Sequence, residues 1–253
     1  MIKPITLLSA QNICKNHKTK RGNEKQIFNA ISFDVHEGEI TSFLGVNGSG
    51  KTTLASILAS LCPPLSGDIF YNGVSIYKDL AAYRYKMGFC QSLPNFNNAL
   101  SVKQNLIFTG RFFGLAEEES SDRAHLLASE LDFEKHWYEH PNELSGGYIK
   151  RVMIARALMH NPKLLIIDDL SAGLDLHIKQ YLWEFIQSLK EKGMTIIITT
   201  NNVDEAEFFS DRICILHQAS VLTIDTPENL KLLYDNRPLA HIFTQLTSED
   251  SEE

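Results

Sequence analysis

The stretch GVNGSGKT, from Gly45 to Thr52, sets three glycines, a lysine and a threonine at the spacing G-x-x-x-x-G-K-[ST]. Glycines let consecutive backbone N–H groups wrap phosphate oxygens, and a helix beginning at this point adds the positive end of its dipole. The cradle comprises Gly45, Asn47, Gly48, Ser49, Gly50 and Thr53, with Lys51 reaching the outer phosphates and Thr52 offering its hydroxyl to Mg²⁺. The chemistry implied is the binding of a nucleoside triphosphate.

Two further constellations lie downstream. In LLIIDD, four apolar residues lead into Asp168 and Asp169, which reads as a buried strand delivering acids to the end of a sheet. Asp168 stands where an acid would hold the water shell of Mg²⁺, or where it would cap the next helix. In ELSGGYIKRVMIARAL, Ser145, Gly146 and Gly147 stand at a helix entrance. They form either a second anion site or an ordinary N-cap.

Elements must hold these residues in place. ITSFL reads as a strand before the glycine turn, and Leu54, Ile57, Leu58 and Leu61 line one face of a helix after it, stopped by Pro63 and Pro64. Ile178, Tyr181, Leu182, Phe185, Ile186 and Leu189 predict a second amphipathic helix ending at Gly193, followed by the buried strand MTIIITT. This alternation argues for an α/β fold with a mainly parallel sheet and helices on both faces. The N-terminal stretch to about Val35 and GDIFYNGVSI, with Asn72 and Gly73 at the turn, predict antiparallel hairpins. The expected organisation is one domain over 1–240: residues 1–91 and 162–240 form the core with its antiparallel β part, and 92–161 an inserted helical subdomain. Residues 241–253 are expected to be a disordered acidic tail.

Composition narrows the classes. The 253 residues carry a net charge of −7, of which Glu249, Asp250, Glu252 and Glu253 supply four, so a nucleic-acid surface is not expected. The cysteines Cys14, Cys62, Cys90 and Cys214 lack paired spacing, which points to reduced thiols in the cytosol. The N-terminus is too weakly apolar for a signal peptide, and no stretch reaches the ~18 to 20 apolar residues of a spanning helix. Any action at a membrane is expected to go through a partner.

Taken together and in order, the motifs GVNGSGKTT, LSGGY, LLIIDD, SAGLD and TTNNVDEAE resemble those of the nucleotide-binding subunit of ATP-binding cassette transporters, a P-loop NTPase family. They correspond to its Walker A, signature, Walker B, D-loop and switch segments, and SVKQNLIFTGRFFGL resembles its drug- and lipid-exporter branch. The resemblance implies ATP and Mg²⁺ as ligands. It also implies a head-to-tail dimer in which each ATP is held by the Walker motifs of one chain and the signature of the other. Such a subunit couples ATP binding and hydrolysis to export through separate transmembrane permease subunits, peripheral on the cytoplasmic face.

Departures from the family pattern concentrate where hydrolysis occurs. Asp169 stands where the family has a catalytic glutamate, and Leu170 replaces the usual proline. The shorter side chain draws its carboxylate back, and a misplacement of about 1 Å can cost on the order of 100-fold in rate. Asn201 takes the place of the switch histidine: it can donate a hydrogen bond but carries no proton or charge, and with Asn202 it could simply be a polar turn. The family's metal-ligand glutamine falls on Ser92 without gaps, leaving Gln91 one place early; either could serve Mg²⁺. His17 aligns with the adenine-stacking aromatic but also reads as a surface histidine. Tyr148 replaces the signature glutamine, and Phe96, Phe108, Phe112 and Phe113 read as a permease-docking surface or as subdomain core.

With Lys51, Thr52, Asp168 and the signature intact, the expectation is firm ATP binding and slow hydrolysis, with catalytic roles for Lys51, Asp169 and Asn201. A regulatory or mechanical cassette with little ATPase activity is the alternative. A soluble cassette of translation or repair fits less well, since the chain carries one cassette and no heptad-rich insertion.

Overall fold

The computed structural model describes residues 4–18, 22 and 24–248. Two long strands, β1 (Thr6–Lys18) and β2 (Glu24–His36), pair antiparallel, and β3 (Ile40–Leu44) then enters a second sheet. Helix α1 (Lys51–Leu58) follows, and β4 (Ser66–Tyr71) and β5 (Val74–Ser75) return to the first sheet, whose order is β2-β1-β4-β5. The β4–β5 turn is Asn72–Gly73, with φ of 49° and 74°. A tight hairpin turn that follows strand twist needs positive φ at both central residues.

The second sheet adds β6 (Met87–Cys90), β7 (Leu164–Asp168), β8 (Thr195–Thr200), β9 (Arg212–His217) and β10 (Ser220–Asp225), in the order β10-β9-β3-β8-β7-β6. All its pairings are parallel except that of edge strand β10 with β9. β3, β7 and β8 are buried along their whole length, which is why they read as apolar runs rather than alternations. Alternate residues still divide between two cores. Leu165, Ile167, Ile196 and Ile198 face one cluster, and Leu164, Ile166 and Ile197 face the other, which α1 and the antiparallel sheet close.

After α2 (Leu80–Lys86) and β6 the chain turns helical, with α3 (Val102–Phe112), α4 (Glu117–Glu130) and α5 (Gly146–Leu158). Among the described residues no strand lies between β6 and β7. Ser101 and Gln104 form a reciprocal capping box that starts α3. Phe108 and Phe112 stand on the outer face of α3, 65% and 74% exposed. They are therefore surface, and the reading of them as core does not hold.

Helix α6 (Leu176–Glu191) begins on an Asp175 cap and ends as its sequence predicts. Gly193 takes φ of 88°, and the N–H groups of Gly193 and Met194 return to the carbonyls of Lys190 and Leu189. α1 closes in the same way without a glycine. Ser60 adopts φ of 57°, and the N–H groups of Ser60 and Leu61 return to Ile57 and Ser56. The helix thus ends several residues before Pro63, and Leu61, expected on its apolar face, is exposed. Arg84 donates to the carbonyl and hydroxyl of Ser60, which fixes this early end.

The chain finishes with α7 (Val203–Phe209), α8 (Pro227–Leu233) and α9 (Leu239–Ser248). Helix α9 corrects the expectation of a disordered tail from residue 241. Leu239 and Ile242 are buried, and Phe243 and Leu246 pack half-buried against a cluster that contains Leu44, Ala206 and Leu230. That i, i+3, i+4, i+7 stripe gives residues 239–248 enough apolar surface to order them, and the acids at 249–253 lie outside the described residues. No helix among the described residues is long and apolar enough to cross a membrane. All four cysteines are free thiols, Cys90 and Cys214 buried.

Candidate phosphate and metal site

The loop at residues 45–50 joins β3 to α1 at the carboxyl end of the parallel strands, where the ends of β7 and β8 also arrive. Gly50 is the N-cap of α1 at φ of 100°, and a Cβ there would lie 2.9 Å from the side chains of Ile27 and Phe28. Only glycine lets this loop press against β2, and no side chain among the described residues caps the first N–H groups of α1.

Lys51 opens the helix and folds back over the loop, donating to the carbonyls of Gly45 at 2.7 Å and Val46 at 3.0 Å. Burial pulls its pKa below the ordinary lysine value, and the nearby Asp169 and Asp168 carboxylates partly oppose this. The ammonium thus rests on neutral carbonyls, a weaker anchorage than a charged phosphate oxygen would offer. Beside it the Ser49 hydroxyl is buried without a hydrogen-bond partner among the described residues.

Asp168 ends β7 with only 2% of its surface exposed, and its Oδ1 accepts from the hydroxyls of Thr52 at 3.3 Å and Thr199 at 2.5 Å. It makes no ion pair within 4 Å among the described residues. A buried carboxylate facing a threonine hydroxyl is a hard oxygen donor pair, which suits Mg²⁺. The donor chemistry fits the ion.

Asp169 follows at φ of 55°, in the left-handed region. Its N–H donates at 3.1 Å to both the carbonyl and the hydroxyl of Thr199. Just past β8, Asn201 donates from Nδ2 to Oδ1 of Asn47 at 3.1 Å, tying the end of that strand to the loop. Asn202 takes a different part, capping α7 by accepting from the Glu205 N–H. The polar-turn reading therefore suits Asn202 but leaves out what Asn201 touches.

These groups line one cavity of about 430 Å³ that holds Asn47, Gly48, Gly50, Lys51, Thr52 and Thr53 on the loop side and Asp168, Asp169, Thr199 and Asn201 opposite. His17 joins its rim from β1, directly across from Lys25 of β2 in the strand register, with Ile27 alongside. Gln91 and Ser92, just past β6, do not line the cavity. Thr199, Lys25 and Ile27 were not legible beforehand; only the two threonines that end an isoleucine strand hinted at Thr199.

Ser145, Gly146 and Gly147 lie outside this cavity, at the start of α5. Ser145 and Gly146 are exposed, and Ser145 makes no side-chain cap. Gly147 is buried: a Cβ there would fall 2.3 Å from Cδ1 of Ile178, so its lack of a side chain sets how closely α5 approaches α6. Tyr148 turns inward, against the His136 ring at 4.0 Å and beneath the Lys135 and Arg151 cations at 4.8 and 5.1 Å.

Residues 28–172, more than half of the chain, match the family described as ABC transporter. The linearmycin resistance ATP-binding protein LnrL of Bacillus subtilis (strain 168) is 34% identical over 224 residues, which cover 88% of this chain and 70% of that protein. The Nod factor export ATP-binding protein I of Rhizobium meliloti (strain 1021) is 32% identical over 212 residues, covering 84% of this chain and 63% of that protein, somewhat less than two thirds of its length. The dimeric post-hydrolysis structure of the ATP-binding cassette MJ0796 bound to ADP and Pi superposes with a TM-score of 0.80 at 26% identity, over 87% of this chain and 98% of that one. With the loop geometry and the acids facing it, these matches place the chain in the ABC transporter family, as an ATP-binding cassette.

Proposed function

We propose that this chain binds MgATP between the loop at 45–52 and the ends of β7 and β8, sandwiched with a second cassette, and drives export through separate permease subunits from the cytoplasmic face. The observation that carries the reading is the resting place of Lys51. Its ammonium sits on the carbonyls of Gly45 and Val46, beside the uncapped start of α1, where a triphosphate would draw it off. Thr52 and Asp168 would hold Mg²⁺, which when bound neutralises charge on the phosphate oxygens. The export relatives support the direction, since one of them is a Nod factor export ATP-binding protein.

Hydrolysis at this site is slow in our reading. Asp169 orients the attacking water from a side chain one methylene short, and Asn201 donates toward the outer phosphate without a proton to give. The exposed Ser145 and Gly146 lie outside their own cavity, which favours their completing the site of another cassette. An intact signature beside a shortened acid favours a partner of different sequence over a second copy of this chain.

The test is equilibrium binding of a non-hydrolysable ATP analogue with Mg²⁺, together with single-turnover cleavage, for the full chain assembled with its permease. Lys51→Ala is expected to abolish binding. Wild type is expected to cleave slowly and Asp169→Ala more slowly still. Vigorous cleavage that survives Asp169→Ala would sink the assignment of the acid, and absence of analogue binding would sink the site.

A further inference from the structure

Lys150 belongs to α5, five residues beyond Ser145, and only 6% of its surface is exposed. Among the described residues its ammonium meets no carboxylate. It donates instead to two consecutive main-chain carbonyls at the end of β7, at 2.7 Å to Asp169 and 3.4 Å to Asp168. No ion pair within 4 Å involves Lys150 among the described residues. A buried ammonium is costly unless its hydrogen bonds are kept, so this contact resists displacement.

The partner in the shorter of those bonds is the residue at φ of 55°. Its N–H is held by Thr199 of β8 and its carbonyl by Lys150 of α5, so Asp169 is gripped at both ends by elements on opposite sides of it. An aspartate has only two side-chain torsions, and the place of its carboxylate is set mainly by where the backbone points Cβ. A left-handed residue without a clamp would relax toward the ordinary regions and swing that Cβ away.

We propose that Lys150 is a positioning residue for ATP cleavage, holding the Asp169 carbonyl so that the Asp169 carboxylate stays aimed into the nucleotide cavity. The proposal rests on the reading of Asp169 as the water-orienting acid. Because Lys150 rides on the helix that begins with the exposed Ser145 and Gly146, it also ties that helix to the acid of its own chain.

A double-substitution cycle on the full chain assembled with its permease tests this. Lys150→Met keeps an apolar stem out to the ε position and removes the ammonium. It is expected to lower the single-turnover rate on the order of 10-fold, the effect of a misplaced group, with analogue affinity unchanged. On the Asp169→Ala background it is expected to add nothing, and Lys150→Arg, which keeps its donors, is expected to recover part of the rate. A lysine that only fills space would lower rate and affinity together, or would add its full effect to Asp169→Ala; either result overturns the proposal, as does an unchanged rate. If Lys150→Met does not fold, Lys150→Gln, too short to reach the carbonyl, replaces it in the cycle. If wild-type cleavage is too slow to measure, the cycle is run on Asp169→Glu, and no loss there also overturns the proposal. Analogue binding in every variant separates failure of this inference from failure of the nucleotide site itself.

Discussion

A carboxylate on one methylene stands close to its own backbone, and at Asp169 that backbone is left-handed and bonded at both its N–H and its C=O. Lengthening the arm is therefore the direct test of whether reach limits the rate. Asp169→Glu is expected to raise single-turnover cleavage by on the order of 100-fold with analogue affinity unchanged, and an unchanged rate would show that reach is not limiting. His160 offers a different residue-scale test. Its ring stacks on Phe113 at 3.8 Å and its Nε2 donates to the Met87 carbonyl, while burial lowers its pKa from the ordinary 6.5. As pH falls the unfolded histidine takes up its proton first, so stability is lost progressively below about 6.5 and is unaffected above it. Urea midpoints at pH 7.5 and 5.5 are expected to differ more for wild type than for His160→Gln. Lys51, Thr52 and Asp168 were legible because phosphate and metal chemistry fixes both residue type and spacing. Thr199 and Lys150 were not, because each meets its partner, Asp169, from a distant stretch of the chain, and a threonine ending a strand or a lysine within a helix is otherwise unremarkable.

At the scale of elements, helix ends separate what a sequence announces from what it conceals. Gly193 marked the end of α6 because glycine is the usual occupant of a left-handed cap. Ser60 makes the same turn, held by Arg84 from α2, and nothing local in the sequence points to it. Likewise the acids of the last residues masked the apolar stripe Leu239, Ile242, Phe243 and Leu246 that orders α9. The meeting of α5 and α6 was also hidden, since Gly147 reads as part of an anion-binding motif while its burial under Ile178 concerns packing. A methyl group at 147 must push Ile178 Cδ1 or lift the start of α5. Gly147→Ala is expected to destabilise by roughly 1–3 kcal/mol, read from urea unfolding. Ile178→Val, which deletes Cδ1, is expected to restore most of that loss when combined with it. Failure of the pair to recover would place the strain elsewhere.

For the whole molecule, the cavity matters because it is assembled from distant stretches of one chain. Asn47 to Thr53, Asp168 and Asp169, Thr199 and Asn201, and the β1–β2 rim at His17 and Lys25 come together only when both sheets and α1 are in place. The alternation of strands and helices made the parallel sheet legible, but its strand order, with β3 between β9 and β8, came only from the structure. A ligand that bridges these stretches binds the folded chain and not the unfolded one, so its binding energy adds to stability. At a concentration 100 times its dissociation constant that addition is about 2.7 kcal/mol, which for a chain of this size corresponds to roughly 5–10 °C in Tm. Thermal unfolding with saturating MgATP analogue is expected to show a rise of this order in wild type and in Asp169→Ala, since the proposed role of that acid is in cleavage and not in binding. Removing Mg²⁺ with a chelator is expected to shrink the rise, because Thr52 and Asp168 then face the phosphates without the ion. Lys51→Ala is expected to abolish it, because the anchorage of the outer phosphates is gone while the fold, to which the Lys51 ammonium donates through two loop carbonyls among the described residues, remains. A full rise in Lys51→Ala would mean that the analogue stabilises the chain from somewhere other than this cavity.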